Sequence, residues 1–171
     1  GTPANLSTTS SSNLVFGGSS VGVNIPSSVT ALNNLTINNA NGVALNSSPT
    51  ISGTLTLTNG ALSIGANTLT LDGAISVGSG TLTGGGTSNI TFGGAGAATT
   101  LPAVTLNNLI INRATGINMG GDVTVGGTLT LTNGTFAVGA NPLTLNGPTI
   151  AGTPANLSTT SSSNLVFGGS S

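Results

Sequence analysis

The sequence has no cysteine, histidine, lysine or glutamate, and no tryptophan or tyrosine. Its ionisable side chains are Asp72, Arg113 and Asp122, so 2% of its 171 residues are charged; an ordinary soluble domain carries about 25%. Each absence removes a class of function. A chain without a basic patch cannot hold a phosphate backbone by counterion release, which excludes nucleic-acid binding. Without cysteine no disulfide framework staples the fold, and without cysteine or histidine zinc has no ligand set. Calcium needs several anionic oxygens, normally from an aspartate repeated in a Gly-rich turn, and the two aspartates here are isolated from each other in sequence. Catalysis at neutral pH draws on His, Cys, Lys or paired carboxylates, of which only Asp72 and Asp122 remain as candidates. No apolar run approaches the ~18 residues of a membrane helix; Leu109-Ile110-Ile111 is typical of the longest. Membrane barrels alternate over strands of about 9–11 residues, and the runs here are half that. Disorder requires low hydrophobicity and high net charge, whereas this chain is 36% hydrophobic with net charge −1.

What is present is repetition. Residues 1–20, GTPANLSTTSSSNLVFGGSS, recur without a difference at 152–171, a period of 151 residues. The chain therefore reads as one continuous solenoid segment, a window on a longer tandem array in which identical units follow one another along an axis. A weaker repeat lies inside it. GTLTLTNG at 53–60 recurs at 127–134, and GANTLTLDG at 65–73 recurs as GANPLTLNG at 139–147, both at an offset of 74. NLVFGG at 13–18 recurs as NITFGG at 89–94 and NLVFGG at 164–169. Two diverged half-repeats follow, approximately 13–88 and 89–163.

The finest period belongs to short alternating runs. Leu35-Thr36-Ile37, Leu55-Thr56-Leu57 and Ile75-Ser76-Val77 lie 20 residues apart. A second series is Val43-Ala44-Leu45, Leu62-Ser63-Ile64 and Thr81-Leu82-Thr83, and a third is Thr50-Ile51 with Leu69-Thr70-Leu71. Gly, Asn, Ser or Pro separates them. Three runs per ~20 residues predict an all-β chain, a triangular parallel β-helix whose coils stack at ~4.8 Å. Alternation points Leu14, Phe16, Leu35, Ile37, Leu55, Leu57, Leu69, Leu71, Ile90 and Phe92 inward and Thr and Ser outward. Asn59-Gly60 and Asn133-Gly134 read as corner turns, and Gly17-Gly18 and Gly93-Gly94 as tighter ones. No helix is expected. The strand count per half-repeat is about eleven, which three does not divide. The 15 residues from Ile75 to Ile90 imply either a shortened coil or a strand hidden in Gly84-Gly85-Gly86.

The internal repeat also tests the charges. At an offset of 74, Asp72 corresponds to Asn146, Arg113 to Asn39 and Asp122 to Ser48. Each charge is a neutral polar residue in the companion half, so all three read as isolated solvated charges at turns. No catalytic, cofactor-binding or metal-binding residue is assigned, and no cofactor is implied. GGGT at 84–87 lacks the lysine and the following helix of a phosphate loop. Sequons at Asn5, Asn34, Asn46, Asn89, Asn133 and Asn156 are expected by chance in a chain this rich in Asn, Ser and Thr.

The stretch TLTLTNGALSIGANTLTLDG at 54–73 resembles repeats of large secreted surface proteins of Bacteroidota, including gliding-motility adhesins, and more broadly filamentous-haemagglutinin-type solenoid adhesins. The resemblance implies export, an extracellular or cell-surface location, and a stalk-like or adhesive role. It carries no functional residue with it. The expected function is a structural segment of a long extracellular fibre, with no enzymatic activity, which associates laterally with other fibres or with surface glycans. Outward Thr, Asn and Ser ladders support the alternative of a glycan-binding adhesin. The triplets Thr54, Thr56, Thr58 and Thr128, Thr130, Thr132 also raise ice binding, which ranks below it because the ladder breaks at runs such as Ile75-Ser76-Val77. A trimeric phage-type fibre with a shared core is the remaining architecture.

Overall fold

A computed structural model describes residues 5–147 and 149–169. Of the duplicated twenty-residue segments, the first four residues of one and the last two of the other lie outside the described residues. The first half-repeat contains β1 (Asn13–Gly18), β2 (Asn24–Ile25), β3 (Ala31–Leu32), β4 (Asn34–Asn39), β5 (Val43–Leu45), β6 (Thr50–Ile51), β7 (Thr54–Asn59), β8 (Ala61–Ser63), β9 (Thr68–Leu71), β10 (Ala74–Val77) and β11 (Thr81–Thr83). The second contains β12 (Asn89–Phe92), β13 (Thr99–Leu101), β14 (Val104–Leu106), β15 (Asn108–Asn112), β16 (Ile117–Met119), β17 (Val123–Val125), β18 (Leu129–Asn133), β19 (Phe136–Ala137), β20 (Pro142–Leu145), β21 (Ile150–Gly152) and β22 (Leu157–Ser158). β23 (Asn164–Phe167) opens a third. A 3-10 turn spans Pro154–Asn156, and Asn5 is also in a 3-10 conformation.

Every pairing is parallel and joins each strand to the third one after it, so three strands make a coil. The chain is a β-solenoid of about 8 turns with roughly 20 residues per coil. Face three is an unbroken seven-stranded sheet from β3 to β21. Face one carries β1, β4, β7 and β10, then β13, β16, β19 and β22; face two carries β2, β5, β8 and β11, then β14, β17, β20 and β23.

Register follows from alternation. Leu35 pairs with Leu55 and Ile37 with Leu57, and between them Thr36 meets Thr56 on the outside. On face three the inward stack runs Leu32, Ile51, Leu71, Phe92, Ile111, Leu131. Such stacks form one continuous core along the axis. Each fully buried Leu, Ile or Phe contributes roughly 1.5–3 kcal/mol. Eight of the ten expected core residues are buried; Leu14 and Phe16, on the outermost coil, are partly covered. The Asn-Gly corners turn as their residues dictate, with φ +74° at Gly60 and +75° at Gly134. Each packs against the coil before it: a Cβ on Gly60 would strike the Asn39 carbonyl oxygen, and one on Gly134 that of Arg113.

The structure answers the strand count. Ile75 lies in β10 and Ile90 in β12, two strands apart and on different faces, so neither a shortened coil nor a hidden strand is needed. Gly84, Gly85 and Gly86 form the turn between β11 and β12, held by Ser88: Gly85 N donates to its Oγ, which donates to Gly65 O. The irregularity lies one coil on. Ile75 N donates to Thr99 Oγ1 across 24 residues, and the ladders stop between β10 and β13 on face one and between β11 and β14 on face two.

The count of eleven strands per half-repeat holds. NLVF in β1, NITF in β12 and NLVF in β23 are eleven strands apart. Eleven strands are three coils and two further faces, so these equivalent strands stand on face one, face three and face two in turn. The run β1-β4-β7-β10 of face one reappears as β12-β15-β18-β21 on face three.

Candidate functional site

Of the three charges, the structure brings Asp72 and Arg113 together and leaves Asp122 apart. Asp122 is exposed at the entry to β17 on face two. Asp72 follows β9 on face three, half-buried above Gly93-Gly94, where a Cβ on either glycine would press on it. Asn146 stands over Gly168 in the same way.

Arg113 is not solvated. It is 0% exposed, which overturns the expectation of a surface charge. Its Nε donates to Gly93 O at 2.9 Å, Nη1 to Ala97 O at 3.2 Å and Nη2 to Leu71 O at 2.7 Å. Its guanidinium carbon lies 5.7 Å from the centroid of the Phe92 ring, a cation–π distance. Burial lowers the guanidinium pKa, and the Asp72 carboxylate partly opposes that. The side chain, which follows β15, ties the 93–97 connection to Leu71 at the end of β9. Parity along β15 contained the signal: Leu109 and Ile111 point inward, and two residues on so does Arg113. Residue type had suggested otherwise.

A second polar feature runs along the strand starts. Asn13 Oδ1 accepts from Asn33 and Asn34 Nδ2, and Thr54 N donates to Asn34 Oδ1 at 2.7 Å. The second half repeats this: Asn89 Oδ1 accepts from Asn108 N and Nδ2, and Thr128 N donates to Asn108 Oδ1 at 2.9 Å. The Nδ2 atoms of the sequon residues Asn34 and Asn89 are thus already hydrogen-bonded, the latter to Thr87 O.

Outside, face three displays the row Ala31, Thr50, Thr70, Thr91, Ile110, Thr130, Ala151. Thr68, Asn89, Asn108 and Thr128 flank it in a shallow open groove. The groove offers hydroxyls and amides but no charge. Ile110 and the two alanines interrupt the threonines, so this row is not the unbroken ladder that ice recognition requires.

Chemically, these groups can donate and accept hydrogen bonds at the surface. The one guanidinium is committed to three carbonyls, and the two carboxylates lie on different faces. Among the described residues no helix is long and apolar enough to cross a membrane. No family model matches this chain, and no curated protein or solved structure matches it.

Proposed function

We propose that this chain is a passive length of an extracellular solenoid fibre or stalk, exported in the manner of the Bacteroidota surface proteins it resembles, and not an enzyme. One observation carries the proposal: equivalent strands eleven apart present the same inward residues on whichever face they fall. Leu14 and Phe16, Ile90 and Phe92, and Leu165 and Phe167 occupy corresponding register positions; Ile90 and Phe92 are fully buried, whereas on the end coils Leu14, Phe16 and Leu165 are partly covered and Phe167 is 71% exposed. Such a repeat extends indefinitely without redesign of its core, because each new coil needs only the coil before it. Identical units then continue along the axis. The uncharged Thr and Asn exterior suits a shaft that must be well formed more than it must select a ligand.

Immunogold labelling of intact producing cells, with antibody raised against the repeat, tests the location and the shape together. The expected result is gold along filaments outside the cell. Label confined to the cytoplasm of opened cells contradicts the proposal.

The groove at Thr91 and Thr130 favours a second reading, adhesion to surface glycans. Saturable binding on a glycan array that Thr91→Lys abolishes would establish it; a flat array leaves the shaft reading alone.

A further inference from the structure

The eleven-strand repeat and the three-strand coil do not divide into one another. In a fibre of the kind proposed above, on which this inference rests, the mismatch sets the symmetry. We infer that the fibre is a threefold screw at the level of its 151-residue unit, so that it presents every surface feature on three sides in turn and has no blind side.

One unit runs from β1 to β23, which is 22 strands, or seven coils and one further face. Each unit therefore begins one face later than the unit before it. Three units take 66 strands, a whole number of coils, and return to the starting face. At ~4.8 Å per coil, a unit rises about 35 Å and turns by a third of a revolution, plus whatever twist the coils accumulate. The full repeat is about 106 Å.

The sequence order along each face makes the same point. Face one reads β1-β4-β7-β10 and face three reads the equivalent strands β12-β15-β18-β21. The ladder break leaves Ile75 and Val77 beside Pro102 in a small apolar notch on face one. In the next 151-residue unit of the screw the same notch would fall on face two. A neighbour or a surface that recognises one strip of this fibre meets that strip whichever way the fibre has rolled. Ordinary solenoids whose repeat is a whole number of coils instead keep each feature on a single side.

The test is cryo-electron microscopy of a chain carrying three consecutive 151-residue units, at a resolution that traces side chains. The expected result places the three copies of Phe92 on three different faces, successive copies rising about 35 Å. A straight rod in which all three copies of Phe92 stay on one face overturns the screw and leaves the fibre standing. A chain that forms no rod removes the fibre and the screw together. Fibre diffraction gives an independent reading: off-meridional layer lines that index on about 106 Å, with the first meridional reflection at about 35 Å, support the screw, and layer lines that index on about 35 Å alone count against it.

Discussion

Asn39 and Arg113 occupy the same place in the two half-repeats, and each plugs the connection one coil earlier. Both are buried, at 1% and 0% exposure. Asn39 Nδ2 donates to Ser20 O at 3.0 Å, as Arg113 donates to Gly93 and Ala97. The first half closes its 17–22 connection with an amide, and the second closes 93–98 with a guanidinium that reaches three carbonyls. The charge is thus incidental to a structural task that a neutral residue performs elsewhere.

Arg113→Asn, although it copies the companion half, is expected to destabilise the solenoid. Asparagine is too short to reach Gly93, Ala97 and Leu71 together. Leaving their carbonyls unpaired costs about 2–4 kcal/mol after partial rescue by water. Asp122→Ser, which changes an exposed group, should stay within about 0.5 kcal/mol. Guanidinium-chloride unfolding of the two variants measures the contrast; equal midpoints would show that the buried guanidinium contributes nothing.

Glycines divide sharply by position. Gly134 combines φ +75° with a neighbour's carbonyl where its Cβ would stand. Gly134→Ala should cost at least about 2 kcal/mol, from the left-handed backbone and the clash together. Gly85 and Gly86 have open space around them and no positive φ. Alanine there should leave stability within about 1 kcal/mol, with a gain allowed from the stiffer unfolded chain. Thermal melts followed by circular dichroism distinguish the sites, and equal losses at both would contradict the corner geometry.

The asparagine ladder predicts an asymmetry between two small changes. Asn108→Asp keeps an acceptor for Thr128 N but loses the donor to Asn89 Oδ1 and sets a negative charge against that oxygen. Asn108→Ala loses both contacts. Each should destabilise by roughly 1–2 kcal/mol at neutral pH. The aspartate variant should recover at acid pH, where a protonated carboxyl donates again. A pH-independent loss in Asn108→Asp would argue against the ladder.

Trypsin has one site in this sequence, at Arg113. The side chain is enclosed and its backbone N donates to Asn133 O at 3.1 Å, so cleavage requires local unfolding. Native digestion should leave the chain whole at protease levels that cut it promptly in denaturant. Fast native cutting would place this corner among the mobile parts of the molecule.

Much of this architecture was legible in the residues. Leu55-Thr56-Leu57 declares its inward and outward sides, Asn59-Gly60 declares its corner, and the 20-residue spacing declares the coil. Two things were harder to read. The charge of Arg113 argues for a surface position, because a buried cation is rare, whereas the alternation through Leu109 and Ile111 places it inside, where it lies. The segment from Ile75 to Ile90 reads as irregular only if both isoleucines share a face, and they do not. Chemically similar strands recur at eleven-strand intervals while the coil closes at three, so likeness in sequence and position on the solenoid are separate facts here. The seven-stranded sheet that unites strands from both halves could be seen only once the chain was wound.

The proposed fibre requires coil to follow coil without interruption through successive units. Small-angle X-ray scattering from chains carrying one, two and three 151-residue units measures this. The account predicts rods of constant cross-section that lengthen by about 35 Å with each unit, from 22 strands at three to a coil and ~4.8 Å between coils. Scattering from compact particles, or from beads joined by flexible links with a cross-section that fails to stay constant, would contradict it.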